Sequence, residues 1–187
     1  MSPAPPRTLV LLRHGKSAYP PGVPDHARPL AERGRREATL AGEHIRAGVS
    51  LFDLVLCSTS ERTRQTLAET GLAAGATVRY LDELYGAEYD EILDLIAEVP
   101  GSATTLLVVG HFPGVADLAE ELAGPGSDGD ALAGIARKFP TSAFAVLAVT
   151  GAWSALPANS RLKAFTVPRH HPRAQAAPTT APTAEES

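Results

Sequence analysis

Cysteine is nearly absent: Cys57 is the single one in 187 residues. That excludes an internal disulfide framework and suits a reducing compartment. No apolar run approaches the ~20 residues that a membrane-spanning helix requires. The N-terminal MSPAPPR also lacks the apolar stretch of a secretory signal. Nor is positive charge in excess. A net charge of −4 and a pI near 5.9 argue against a general affinity for nucleic acid or an anionic membrane, so any anion site must be local and built from a few placed cations. The expectation is a cytoplasmic protein without nucleic-acid or membrane partners; oligomeric state is not legible.

What is present is an ordinary globular composition, 44% hydrophobic and 20% charged, at a length that suits one domain with a sizeable core. Residues 1–7 are Pro-rich and expected to be loose. From Arg169 the sequence reads RHHPRAQAAPTTAPTAEES. Such a segment has too little apolar surface to offset its ordering entropy, so residues 169–187 are expected to form a disordered tail. His170 and His171 beside a proline read as part of that polar tail rather than as a metal tract. The domain then spans 8–168.

Within it, TLVLL (8–12), LVLC (54–57), VRYL (78–81), TLLVV (105–109) and AFAVLAV (143–149) are continuous apolar runs, the signature of strands covered on both faces. Helical periods lie between them. Ala38, Ala41 and Ile45 share one helix side opposite Arg35, Arg36, Glu43 and Arg46. Ile92, Leu95, Ile96 and Val99 repeat at i, i+3, i+4, i+7, as do Val115, Leu118, Ala119 and Leu122. STSERTRQTLAET starts with N-capping residues directly after a strand. Alternating strand and helix predicts an α/β fold of three layers, a mostly parallel central sheet with helices on both faces. The Gly-rich GPGSDGDALAG reads as a loop, because Asp128 and Asp130 lack the further oxygens of a calcium site.

Three polar clusters each follow a predicted buried strand: Arg13-His14-Gly15, Ser58 to Arg62, and Gly110-His111. Ligands of open parallel sheets bind at the carboxyl ends of strands. If these strands are neighbours, two arginines and two histidines meet in one crevice, an oxyanion site best suited to phosphate. Arginine forks hold two phosphoryl oxygens at once, and neutral imidazole is a competent nucleophile. Arg13 and Arg62 disfavour imidazolium and so help keep the attacking nitrogen free. Gly15 allows close backbone approach to the anion, and Ser17 and Ser58 are candidate hydroxyl donors. Arg62 in a first helical turn is a poor partner for the helix dipole, which makes an anion there more attractive.

LLRHGKS, CSTSERTRQT and VVGHFPGV together resemble the histidine phosphatase superfamily, and more closely its small SixA-type phosphohistidine phosphatase branch. ARPLAERG, KFPTSAFAVL and Trp153 extend the match over roughly 8–167. The resemblance implies a phosphoglycerate mutase-like fold, and a phosphatase that needs neither cofactor nor metal. His14 would carry the phosphoryl group during turnover, with Arg13, Arg62 and His111 around its oxygens and Ser17 and Ser58 as helpers. Thr59 and Thr63 depart from the Pro and Ala common in the family.

The family also implies a carboxylic acid that protonates the leaving group. LDELYG resembles the segment that supplies it in mutase-like members, which points to Glu83; Asp25 and Glu88 are alternatives, each also readable as a solvated surface carboxylate. The short connection between the second and third clusters leaves no room for a large lid insertion, so an open pocket is expected. Phosphohistidine in proteins is the expected substrate. The alternatives are small phosphomonoesters or a non-catalytic, phosphate-binding regulatory role.

Overall fold

A computed structural model describes residues 6–169. The remainder, including His170 and His171, lies outside the described residues, and with it nearly all of the expected loose N-terminus and tail.

The element order is β1 (Arg7–Arg13), α1 (Glu32–Gly48), β2 (Leu54–Ser58), α2 (Glu61–Thr70), β3 (Thr77–Leu81), α3 (Tyr89–Ala97), β4 (Thr105–Gly110), α4 (Gly114–Glu121), α5 (Gly129–Arg137), β5 (Phe144–Val149) and β6 (Ser160–Thr166). The strands form one six-stranded sheet in the order β3-β2-β4-β1-β5-β6. The first four run parallel; β5 is antiparallel to β1, and β6 to β5. The fold is therefore the three-layer, mostly parallel α/β arrangement read from the sequence. No helix among the described residues is long and apolar enough to cross a membrane.

The continuous apolar run of β1 has a simple cause. Successive strand side chains point to opposite faces. Leu9 and Leu11 enter a core with Ile92 and Ile96 of α3 and Leu118 of α4, whereas Val10 and Leu12 enter one with Ala41 and Ile45 of α1 and Leu67 of α2. Both faces are covered, so Leu9 to Leu12 are apolar at every position.

Two strands differ from the expectation. β3 is an edge strand whose residues are all exposed or half-buried, so VRYL is not covered on both faces. β6 has no apolar run; buried Ser160 and Leu162 alternate with exposed Arg161 and Lys163, the period-2 pattern of a half-buried edge. In addition, β1 begins at Arg7, inside the segment expected to be loose. Its buried guanidinium donates to the carbonyls of Gly101 at 2.7 Å and Ala103 at 3.4 Å, and to that of Gly151.

Candidate active site

β2, β4 and β1 are consecutive in the sheet, so the three polar clusters leave neighbouring strand ends. Register aligns them: Arg13 stands opposite Gly110, the residue before His111. The His14 and His111 ring centroids lie 5.1 Å apart in the lining of an open cavity of about 390 Å³. Arg13, His14, Ser17, Arg62 and His111 all line it.

His14 is buried, and its ring is oriented by one short contact. Nδ1 lies 2.7 Å from the Gly15 carbonyl oxygen, which can only accept, so Nδ1 carries the proton and Nε2 keeps the free lone pair. Burial lowers its pKa to about 4, and the nearby Arg62, Arg13 and Arg28 add to that against the opposing pull of the Gly15 carbonyl. Desolvation thus outranks the cations in keeping this imidazole neutral. His111 is likewise lowered to about 3, first by burial, then by His14 and Arg62. Its Nε2 is 2.9 Å from the Ser58 hydroxyl and its Nδ1 lies 3.4 Å from Arg62 Nη2. Ser58 itself is fully buried behind His111, outside the lining.

Gly15 also stands behind the pocket. A Cβ there would come within 2.8 Å of the Gly34 carbonyl oxygen, and one on Gly34 would overlap the Lys16 backbone. The need for glycine is thus contact between the strand end and α1, rather than approach of backbone to anion. The Gly15 N–H donates to Thr66 Oγ1 at 2.8 Å, and that hydroxyl donates to the Arg62 carbonyl at 2.6 Å. Thr66 thereby couples the His14 segment to the helix carrying Arg62. Thr63, where the family often has Ala, donates to the Ser58 and Ser60 carbonyls, and Thr59 donates to Asp82 at 2.5 Å. Both departures from the family pattern bond within the strand-to-helix turn or its neighbouring loop.

Of the three candidate carboxylates, only Asp25 lines the cavity. Glu83 is exposed on the 3-10 turn Asp82–Leu84, outside the lining, because Leu84 and not Glu83 points into the core. Glu88 precedes α3, where its N–H donates to the Glu91 side chain, and it too lies outside the cavity lining. Asp25 accepts from the Tyr85 hydroxyl at 2.6 Å, from Arg28 Nε and Nη2 at 2.9 and 2.6 Å, and from Arg62 Nη2 at 3.1 Å. Led by the Tyr85 bond, these contacts hold its carboxyl far below the usual carboxylate range. Arg28 also donates to Ser17 Oγ at 2.9 Å.

Lys16, Tyr19, Arg28, Tyr85, Phe112 and Thr141 complete much of the lining and were not singled out from sequence. They arrive on loops and turns, and the one available signal was the nearness of Lys16 and Tyr19 to His14. Arg13 donates to the Phe139 carbonyl at 2.7 Å and lies 4.9 Å over the Phe112 ring, and the buried Nε atoms of Arg13 and Arg62 have no protein partner. The result is a wall of guanidinium, ammonium and neutral imidazole, shaped to receive an oxyanion.

Comparison with known proteins agrees. The family model of the histidine phosphatase superfamily (branch 1) matches residues 9–106. An uncharacterized protein of Mycobacterium tuberculosis is 51% identical over 160 residues, spanning 84% of this chain and 100% of the relative. Among solved structures, the protein named SixA from Nakamurella multipartitia superimposes with a TM-score of 0.79 at 45% identity, over 89% of this chain and 99% of the other. The protein histidine phosphatase SixA complexed with tungstate gives 0.65 at 27% identity, over 86% and 97%. By that family model and by its likeness to these relatives, the chain belongs to the histidine phosphatase superfamily.

Proposed function

We propose that this protein hydrolyses phosphohistidine in proteins through a covalent phosphoryl intermediate on His14. The single observation that carries the substrate choice is the state of Asp25. It is the one carboxylate of the cavity lining among the described residues, and Tyr85, Arg28 and Arg62 keep it ionised. No protonated carboxyl therefore stands ready at neutral pH. An alcohol leaving group is water-like, with a pKa near ~15.7, and needs a proton in flight. Phosphohistidine brings its own proton: with the other ring nitrogen protonated, the group departs as neutral imidazole, the base of an acid of pKa about 6.5, and needs no acid from the protein.

In the first step His14 Nε2 attacks phosphorus while the bond from phosphorus to the substrate imidazole breaks. That electron pair stays on the departing ring nitrogen, and because the ring's other nitrogen already carries a proton the group leaves as neutral imidazole. Arg13 and Arg62, with His111, surround the equatorial oxygens, where phosphoryl transfer gathers its charge. Water then attacks phospho-His14; its oxygen leaves in phosphate, its proton goes to solvent and the Nε2 lone pair is restored. Ser17 and Ser58 act through Arg28 and His111, their hydrogen-bond partners. The likeness to a SixA crystallised with tungstate, a tetrahedral oxyanion, supports this reading.

The test presents a phosphohistidine peptide, a phosphoserine peptide and an aryl phosphate to wild type and His14→Ala, with chelator present. The expected result is fastest turnover of phosphohistidine, insensitivity to chelator, and an acid-labile phosphoryl group trapped on His14. Full activity in His14→Ala, or loss on chelation, contradicts the mechanism. Faster turnover of the phosphomonoesters contradicts the substrate. Phosphate binding without any turnover would assign the regulatory role instead.

A further inference from the structure

A second cavity of about 450 Å³ opens beside the candidate active site and shares Arg13 and Phe112 with it. Phe112 is 54% exposed despite its size, a side chain left standing between the two spaces. Ala116, Ile135 and Phe139 supply the apolar part of the second lining. Its charged part has two signs. Asp117 and Glu120, three residues apart on α4 and so on one helix face, oppose Arg137 and Lys138 at the end of α5. Among the described residues no ion pair engages any of these four.

We infer that this groove receives the polypeptide segment adjoining the phosphorylated side chain, with a Lys or Arg of that segment set against Asp117 and Glu120. The inference rests on the reading that the substrate is a phosphorylated protein. Once a phosphoryl group is held between Arg13 and His14, the rest of the substrate must leave the pocket over its rim, and Phe112 borders the adjacent opening. A nucleic acid or polyphosphate presents anions alone and is repelled by the α4 carboxylates. A wholly apolar ligand would strip water from four charges without replacing it. A peptide carries apolar, cationic and anionic groups together, which is what the three kinds of lining residue match. Because Asp117 and Glu120 are exposed, each contributes modestly and mainly to specificity.

The experiment uses the full chain and three substrates: phosphoramidate, and two phosphohistidine peptides that differ only in carrying Lys or Glu at the positions flanking the phosphorylated residue. The quantity read is kcat/KM for each peptide relative to phosphoramidate. Wild type should favour the Lys peptide by about tenfold, shrinking as salt screens the charges. The double variant Asp117→Lys/Glu120→Lys, at two solvent-exposed positions, should lose or invert that preference. Equal ratios for the two peptides in wild type, or a preference that survives the double variant, overturn the groove assignment. So does a wild-type preference for the Glu peptide, which would give the groove to an acidic occupant through Arg137 and Lys138. Those outcomes with intact phosphoramidate turnover sink the groove alone; no turnover of any of the three sinks the phosphatase reading beneath it.

Discussion

The two ends of the sheet use the same residue types in opposite ways. At the amino ends of the parallel strands, Asp53 Oδ2 accepts from the backbone N–H groups of Thr104 and Thr105 at 2.7 and 2.9 Å and from both their hydroxyls. Arg7 spends its guanidinium on three carbonyls and packs over Trp153. Both of these charges are consumed by the fold. At the carboxyl ends, Arg13 and Arg62 keep buried Nε atoms without a protein partner, and Lys16 forms no ion pair among the described residues. A buried donor left open costs stability, so a chain retains it where a ligand completes it. Saturation by backbone marks the structural pole, and its absence marks the pole proposed to meet substrate.

The contrast can be broken at either pole. His14→Ala should lower turnover by at least about 10⁴-fold, the scale of losing a nucleophile. Arg62→Ala, which removes one charge stabiliser, should cost about 10²–10³ in kcat; steady-state assays of both, beside circular dichroism of each fold, check the pair. Arg7→Ala should do the reverse. Loss of its charge-assisted bonds should cost about 3 kcal/mol of stability and lower Tm by roughly 6–12 °C in a chain of this size, with kcat/KM unchanged at 20 °C.

Acidification sharpens the same comparison. The histidines of the unfolded chain take up protons near pH 6.5, but His14 and His111 resist until about 4 and about 3. The unfolded state therefore binds more protons across that window, and stability falls as pH drops from 6.5 towards 4. Urea unfolding should give a lower free energy at pH 5 than at pH 7, and His111→Asn should reduce the slope; a flat wild-type profile contradicts the burial argument. The smallest effect is expected from Glu83→Gln, within about twofold on any substrate, because the side chain stands outside the cavity and in solvent. A loss above tenfold would return Glu83 to the role of acid.

The sequence made the inner strands legible because burial on both faces leaves nothing but apolar residues, as in Leu9 to Leu12 or Leu106 to Val109. The same rule misled at β3, where a similar run lies at an edge, and was blind to β6, whose Arg161 and Lys163 interrupt any apolar stretch. His14 and His111 were legible because each directly follows a strand, and Arg62 because it lies in the first turn of the helix after one, so their positions are inherited from the sheet. Arg28, Tyr85 and Phe112 were not, since what they face depends on how a loop or turn folds across the site. The choice among carboxylates shows the limit well. Asp25 and Glu83 both lie just beyond recognisable motifs, but only the contact of Asp25 with Tyr85 and two arginines distinguishes them, and that contact joins segments 60 residues apart.

One further consequence comes from β5, the antiparallel neighbour of β1. Just before it, Ser142 adopts a left-handed backbone at φ 63°, and its N–H donates to the His14 carbonyl at 3.1 Å. From the other side His14 N–H is held by the Gly110 carbonyl at 3.1 Å, while Arg13 N–H donates to Ala143 at 3.0 Å. His14 is thus pinned along its main chain from both flanking strands. In amide hydrogen exchange, His14 should open only with the sheet itself, on the slow timescale of global unfolding rather than of loop breathing. The side chain proposed to attack phosphorus then belongs to one of the stillest stretches of backbone.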